Sequence, residues 1–188
     1  MGKPVLLIID MQNDFVLDNM PLQVAGARMV IPKIQAVLAE FRKRSLPVFH
    51  VLRVHRPDGS DVEIIRQELF ARSPFAVGGT RGAAVIDELT PQTGEYVLTK
   101  TRMSAFIGTE LDLMLRTLGV RTVYVAGIQT PNCIRTTVFD AIAYNYPVVL
   151  IDDATGASSA EVHHANVRDM QNIGVRIVKA AEVSAILG

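Results

Sequence analysis

The sequence predicts a three-layer α/β/α fold built on a doubly wound, mostly parallel, six-stranded sheet of the Rossmann type. Short apolar runs rich in Val, Ile and Leu alternate with longer stretches of helical period, which is the pattern of βαβ units. These runs are apolar throughout rather than at every second residue, as expected for strands covered on both faces. A chain of 188 residues fits one such domain, which we predict to span 1–188.

The predicted elements follow one another in βαβ order. The six predicted strands are 5–9, 47–52, 96–99, 122–126, 148–151 and 175–178. Apolar residues recur at three- and four-residue steps from Arg28 to Phe41, which predicts a crossover helix between the first two strands. The same period predicts helices over 110–118, 131–144 and 161–172, each between two strands.

The segment 56–93 interrupts this order. It is long, contains PDGSD and GGTRG, and has one short helical candidate, 62–70. Two interpretations stay open for this excursion over the sheet: a loop that shapes a binding site, and a solvated connection.

Charge and composition exclude several classes of function. The 19 basic and 19 acidic residues cancel, so no positive surplus exists to hold nucleic acid or an anionic membrane. Cys133 is the single cysteine of the chain and therefore cannot form an internal disulfide. The first apolar run is too short for a secretory signal, and no run reaches the roughly 18 residues of a membrane span. We therefore expect a cytoplasmic protein whose partner is a small molecule.

Chemically reactive side chains follow several predicted strands. Ligands of an open parallel sheet bind beyond the carboxyl ends of the strands, where the connecting loops converge. Asp10 follows the first strand, Lys100 the third, and Cys133 comes shortly after the fourth. Asp152 and Asp153 follow the fifth. Each residue taken alone also has an ordinary structural explanation: a buried thiol, a turn carboxylate or a solvated amine.

The residues before Cys133 favour a functional role for its thiol. Thr130 and Pro131 are typical of an N-cap and a first helical residue, which would place Cys133 at the third helical position. Free backbone N–H groups there favour an anion, and a nearby Lys adds to this effect, so we predict a lowered pKa for Cys133. The same N–H groups can bind the oxyanion that forms when a thiolate attacks a carbonyl, while Asp10 moves protons.

Three separated blocks carry a family resemblance. They are LLIIDMQNDF around Asp10, TKTRMSAFIGTEL, which begins at Thr99 and contains Lys100, and VAGIQTPNCIRTTVFDA around Cys133. On these blocks the chain resembles, over essentially its whole length, the isochorismatase-like cysteine hydrolases, which include nicotinamidases, N-carbamoylsarcosine amidase-like enzymes and ureide hydrolases. The resemblance implies the isochorismatase-like hydrolase fold and a catalytic triad of Asp10, Lys100 and Cys133.

The resemblance implies further site features. A cis peptide bond is expected between Ile128 and Gln129, and the backbone N–H groups of Gln129 and Cys133 would form the oxyanion hole. Phe15 and Asn132, which lie near Asp10 and Cys133 in the sequence, are candidates for the pocket wall. Relatives in this superfamily are commonly dimers or tetramers, so a homodimer or homotetramer is expected.

The sequence departs from the nicotinamidase pattern after the second strand. Metal-bearing relatives carry Asp-x-His there, whereas this chain has Arg53-Val54-His55 and lacks the first acidic ligand. We therefore predict no metal and no other cofactor, and nicotinamide becomes a less favoured substrate. The alternative is a metal held by His55 with Asp58 or Asp61.

The leading functional prediction is a cysteine amidohydrolase that cleaves a small amide, carbamoyl or ureido C–N bond through a thioester. One alternative is an isochorismatase-type ether hydrolase that uses Asp10 and Lys100 without Cys133. Another is a non-catalytic α/β module that binds a small ligand. A dinucleotide is not the favoured ligand of such a module, because DMQNDF follows the first strand where G-x-G-x-x-G would be expected.

Overall fold

The computed structural model of the chain describes residues 2–187, which form a six-stranded sheet. Its strands are β1 Lys3–Ile9, β2 Val48–Arg53, β3 Tyr96–Lys100, β4 Val120–Ile128, β5 Val148–Gly156 and β6 Arg176–Val178. Neighbouring strands are parallel throughout, in the order β3-β2-β1-β4-β5-β6. This arrangement confirms the predicted fold class and all of the predicted strands.

Helices cover both faces of the sheet. They are α1 Asn13–Val16, α2 Ala27–Lys43, α3 Gln67–Arg72, α4 Leu111–Thr117, α5 Arg135–Ala143, α6 Ala160–Asn172 and α7 Ala180–Leu187. A π-helical turn, Thr130–Ile134, precedes α5, and short 3₁₀ turns occupy Ile64–Arg66 and Asp87–Leu89. Within residues 2–187, no helix combines the length and apolar character needed to cross a bilayer.

The hydrophobic core has one part on each face of the sheet. Alternate residues of β1 point to opposite faces, so Leu6 and Ile8 pack with α2 and α7, while Leu7 packs with α4, α5 and α6. These three side chains are 0 to 1% exposed. The excursion 56–93 adds Phe70 and Phe75 to the first part, so this segment is packed against the domain rather than solvated along its length.

The strand order places a ligand crevice at the carboxyl ends of β1 and β4. The chain runs outward from β1 through β2 to β3 and then returns to β4 on the other side of β1, which is the topological switch point of a doubly wound sheet. Gly127 near the end of β4 has φ +113°, and a Cβ there would lie 2.1 Å from the Ile9 carbonyl oxygen. Glycine thus permits β1 and β4 to approach closely just before the crevice.

The Glu95 carboxylate connects α2, β2 and the start of β3 at the amino-terminal end of the sheet. Glu95, which precedes β3, accepts hydrogen bonds from Arg42 Nε at 2.6 Å and Arg42 Nη2 at 3.0 Å, and its Oε2 lies 2.9 Å from His50 Nε2. Burial opposes the charge, but the hydrogen bonds from Arg42, the Gln92 backbone and His50 lower the pKa of Glu95 to about 2.

Glu95→Gln should therefore destabilise the protein in a pH-dependent way. A carboxyl with a depressed folded-state pKa contributes stability above its unfolded pKa and loses it as pH falls toward the folded value. The shift from 4.5 to about 2 corresponds to roughly 3 kcal/mol at pH 7. Urea unfolding at pH 7 and at stepwise lower pH measures this difference, with Glu88→Gln on the exposed surface as the control. A difference between wild type and Glu95→Gln that stays constant below pH 4 would contradict the assignment.

Candidate active site

Asp10 and Lys100 form a buried ion pair at the crevice. Asp10 directly follows β1 and Lys100 is the last residue of β3, so the Lys100 side chain crosses the end of the intervening β2 to reach Asp10. Lys100 Nζ lies 3.0 Å from Asp10 Oδ2, and the two residues are 2% and 4% exposed. Lys100 Nζ also donates to the Arg102 carbonyl at 3.1 Å. Asp10 Oδ1 has no hydrogen-bond partner within residues 2–187.

The backbone of Asp10 has an unusual conformation. Asp10 has φ +54°, in the left-handed region that costs most residues about 1 kcal/mol or more, although Asp tolerates it better than most. Its backbone N–H donates to the Val51 carbonyl at 2.9 Å, which ties the turn to β2. Strain of this kind concentrates at functional sites.

Cys133 lies in the π-helical turn Thr130–Ile134, not at the third position of an α-helix as predicted. The Gln129 carbonyl accepts both the Asn132 and Ile134 backbone N–H groups at 3.1 Å, which widens the turn. The predicted N-cap is also wrong, because Gln129 is the N-cap residue and Thr130 Oγ1 instead lies 2.9 Å from His163 Nδ1. Turns of the π type are frequent at functional sites.

The expected lowering of the Cys133 pKa is wrong for this structure. Burial raises the pKa of the thiol, and the negative charge of Asp10 raises it further. Lys100 and Arg53 act in the opposite direction but do not outweigh these effects. The resting thiol is therefore protonated, and a thiolate has to be made by moving its proton to a base.

Arg53 is a second cation at the thiol, and its place in the sequence predicted only the loss of a metal ligand. It ends β2, is 1% exposed, and places Nη2 3.8 Å from Cys133 Sγ. Burial disfavours its charge, but the carboxylates of Asp10 and Glu63 raise its pKa, as a thiolate at Cys133 also would, so the guanidinium stays charged. Nη1 donates to Glu63 Oε1 at 2.8 Å. Gln12 fixes the Arg53 backbone through contacts of 2.7 and 2.8 Å.

A pocket of about 420 Å³ opens over these groups. Predicted site residues on its wall are Asp10, Phe15, Ile128, Gln129, Asn132 and Cys133. Lys100 is not on the wall and reaches the site through Asp10. The peptide bond between Ile128 and Gln129 is cis in the structure. The rest of the wall comes from the loop after α1 and from Arg53, Arg66 and Leu69.

The alternative metal site does not fit the residues present. His55 Nδ1 lies 3.3 Å from Asp61 Oδ1, and the ring packs edge-on against Phe70 and Phe75. Burial and the charge of Arg53 lower the pKa of His55, which is therefore neutral. Asp58 is on the surface, where it accepts the Ser60 backbone N–H. Within residues 2–187, no three His, Cys, Asp or Glu side chains are grouped as a metal-ligand set.

Asp152 and Asp153 do not join the site. β5 extends through both residues to Gly156 and directs their side chains elsewhere. Asp152 pairs with Lys179 and, at 2.8 Å, with His163 Nε2. Asp153 Oδ1 accepts the Ala180 backbone N–H at 2.7 Å, which anchors the start of α7.

The comparisons with known proteins agree with this fold. Residues 4–182 match the family model of the isochorismatase domain, so the chain belongs to the isochorismatase family of hydrolases. An isochorismatase family protein from Desulfovibrio vulgaris has a solved structure that superposes with a TM-score of 0.96 at 45% identity, covering 100% of this chain and 99% of that one.

Two sequence relatives have names that differ in the activity they describe. A protein of Arabidopsis thaliana described as a probable inactive nicotinamidase is 44% identical over 175 residues, 91% of this chain and 89% of that protein. Maleamate amidohydrolase of Pseudomonas putida is 30% identical over 172 residues, 90% of this chain and 80% of that enzyme. The family therefore includes amidases, alongside a member whose name marks it as inactive.

Proposed function

We propose that the protein is a cysteine amidohydrolase that cleaves a small amide, carbamoyl or ureido C–N bond. The observation that carries this proposal is the buried Asp10–Lys100 pair beside Cys133, at the floor of a pocket on the carboxyl edge of the sheet. A base, a cation and a thiol so arranged are the components of nucleophilic catalysis. The family membership and the amidohydrolase relative support the same reaction class.

In the acylation step, the Asp10 carboxylate takes the proton of the Cys133 thiol while the sulfur attacks the substrate carbonyl carbon. The tetrahedral oxyanion binds the backbone N–H groups of Gln129 and Cys133. Protonated Asp10 then gives its proton to the leaving nitrogen, the C–N bond breaks, and ammonia or an amine departs. A thioester on Cys133 remains.

In the deacylation step, Asp10 takes a proton from water and the resulting hydroxide attacks the thioester carbonyl. The C–S bond breaks, the acid leaves, and the thiolate recovers its proton from Asp10. Two cations stabilise the negative charge as the proton moves between Asp10 and Cys133. Lys100 Nζ lies 3.0 Å from the Asp10 carboxylate, and Arg53 Nη2 lies 3.8 Å from the Cys133 sulfur. The transfer thus occurs without net charge change in the buried site.

The direct test is a screen of primary amides, carbamoyl compounds and ureido acids for ammonia release. We expect the wild-type protein to release ammonia from at least one of these three classes of compound. Absence of release across all three classes, from protein shown to be folded by circular dichroism, would contradict it.

A non-catalytic role is the second candidate, and it has one supporting observation, the relative described as probably inactive. In this role the same pocket binds a small ligand without turnover. Thermal stabilisation of the protein by a compound that it does not hydrolyse would favour this candidate over the first.

We expect the activity to survive metal removal. Arg53 occupies the place of the first acidic ligand, and His55 is enclosed by Phe70, Phe75 and Asp61. Prolonged EDTA treatment followed by gel filtration should therefore leave the rate of ammonia release unchanged. Loss of activity with recovery on adding zinc, iron or manganese would contradict this expectation.

A further inference from the structure

Thr130, His163 and Asp152 form a hydrogen-bonded chain that the proposed reaction does not use. Thr130 Oγ1 lies 2.9 Å from His163 Nδ1, and His163 Nε2 lies 2.8 Å from Asp152 Oδ1. Thr130 begins the π-helical turn, His163 lies in the first turn of α6, and Asp152 lies in β5. The chain therefore connects the turn that carries Cys133 to the sheet and to the helix beside it.

The charge of Asp152 fixes the direction of these hydrogen bonds. Burial raises the pKa of this carboxyl, but hydrogen bonds from Lys179 and His163 lower it to below its ordinary value, so Asp152 is ionised. A carboxylate only accepts, so His163 Nε2 carries a proton and donates it to the bond. In the neutral imidazole Nδ1 is then an acceptor, to which the Thr130 hydroxyl donates. Asp152 thus selects the tautomer of His163 that can hold Thr130 in place.

Burial prevents the Thr130 hydroxyl from acting as a nucleophile. A hydroxyl, an imidazole and a carboxylate in this order are the groups of a serine-type catalytic triad. Thr130, however, is 0% exposed and is not on the pocket wall, whereas its neighbours Gln129 and Cys133 are. A molecule in the pocket contacts those neighbours instead. The chain can therefore act on the reaction only through the backbone to which Thr130 belongs.

That backbone carries the two N–H groups that the proposed mechanism assigns to the oxyanion. Gln129 directly precedes Thr130, and Cys133 follows three residues later. The contact between Thr130 and His163 anchors the first residue of this turn to an element outside it. An oxyanion site is effective only when its donors are held in place before the reaction. An anchor at Thr130 is therefore expected to affect the transition state more than the bound substrate.

We infer that His163 is a positioning residue, which acts through Thr130 to hold the Gln129 and Cys133 N–H groups in the geometry that binds the oxyanion. His163 does not touch the substrate, because its side chain is 13% exposed and lies outside the pocket wall. Asp152 contributes by orienting the His163 ring. This role rests on the proposed function for turnover, but not for the formation of an adduct between Cys133 and an aldehyde.

Such an adduct tests the role of His163 without any turnover. The Cys133 sulfur adds to the carbonyl carbon of propanal and the thiol proton passes to the carbonyl oxygen, which gives a thiohemiacetal whose oxygen lies where the oxyanion would. Iodoacetamide instead alkylates the sulfur at a saturated carbon with loss of iodide, so no oxyanion forms. Because the chain has a single cysteine, alkylation reports Cys133 alone. The two measured quantities are the alkylation rate without propanal and the propanal concentration that halves this rate.

His163→Leu and Thr130→Val should each raise this propanal concentration at least about 10-fold, since loss of one oxyanion donor costs about 10²- to 10³-fold and displacement costs less. His163→Asn and Thr130→Ser should stay within about threefold of wild type, because the amide keeps a polar group near the place of Nδ1 and serine keeps the hydroxyl. The alkylation rate without propanal should be unchanged in all four variants. His164→Leu is the matched control, because it removes the neighbouring, exposed imidazole of α6, and it should behave as wild type.

Four results would overturn the role of His163. They are an unchanged propanal concentration in His163→Leu and Thr130→Val, an equal rise in the Asn and Ser variants, an equal rise in His164→Leu, and an absence of any propanal effect on the wild type. The second and third results would mean that packing rather than the hydrogen bond matters, and the last that no oxyanion site exists to be positioned. His163→Leu and Thr130→Val remove the same contact from its two sides, so either variant decides the test if circular dichroism shows that the other does not fold.

Steady-state kinetics separate this role from the proposed function. With a compound from which the wild type releases ammonia, His163→Leu should lower kcat at least about 10-fold and change KM less than about twofold, and His163→Asn should recover most of kcat. A raised KM with unchanged kcat would contradict a role at the oxyanion site. If the wild type releases ammonia from no compound, the proposed function fails, whereas the propanal measurement still decides whether His163 holds this site.

Discussion

Cys133→Ala is expected to abolish ammonia release from every substrate of the wild-type protein. Removing the nucleophile of a protease triad costs about 10⁶-fold in kcat, and a loss of at least about 10³-fold is expected here. The physical reason is that Cys133 is the single cysteine of the chain, so no second thiol can form the covalent intermediate in its place. The loss is measured as the steady-state rate of ammonia release.

The fold should survive this change, so the loss is attributable to chemistry. Cys133 is 7% exposed, and its truncation to Ala removes one buried atom, a cost of about 1 kcal/mol. Urea unfolding of both proteins is the control. Ammonia release retained in a folded Cys133→Ala protein would contradict the role of Cys133 as the nucleophile.

Asp10→Asn should lower the catalytic rate and at the same time make the Cys133 thiol easier to ionise. Loss of a general base lowers the rate by about 10²- to 10⁴-fold, because nothing then accepts the Cys133 proton. The thiol nevertheless becomes easier to ionise, since the negative charge of Asp10 is one of the causes that raise its pKa, and Lys100 is left uncompensated. The midpoint of iodoacetamide labelling against pH should therefore move to lower pH.

The control for this experiment is Asp87→Asn, whose side chain is exposed in the 3₁₀ turn Asp87–Leu89, a turn that does not line the pocket. It should change neither the rate nor the labelling midpoint. A midpoint that is unchanged or higher in Asp10→Asn would mean that the Asp10 charge does not act on Cys133, and the assignment of Asp10 as its base would be wrong.

The sequence predicted the fold and the residues at strand ends because both depend on local patterns. A strand buried on both faces has to be apolar throughout, as in VLLII, and a parallel sheet brings the residues after its strands to one edge. The positions of Asp10 and Lys100 follow from these two rules. Their separation of 3.0 Å does not, because it depends on how far the Lys100 side chain crosses β2.

The sequence could not predict the electrostatics of Cys133. Its pKa depends on burial and on the balance of Asp10 against Lys100 and Arg53, which are far away in the sequence. A helix N-terminus was the visible local signal, and it favoured the wrong direction. Arg53 had a usable signal, since a charged residue at the end of the apolar run VFHVLR is directed to the same edge as Asp10.

The pocket wall was the least predictable part of the site. Arg66 comes from the excursion 56–93, whose role the sequence left open, and it reaches the pocket only because Phe70 and Phe75 pack that segment onto the domain. Helix α7 was also not predicted, because the βαβ pattern predicts helices between two strands and α7 follows the last strand.

The mass of the protein quenched in acid during turnover is the most direct test of a covalent intermediate on Cys133. The mechanism requires a thioester, so the wild type should gain the mass of the acyl group, mapped to the peptide that contains Cys133, and Cys133→Ala should gain nothing. Unmodified wild-type protein at every quench time, together with undiminished turnover by Cys133→Ala, would contradict the claim that the Cys133 sulfur attacks the substrate carbonyl.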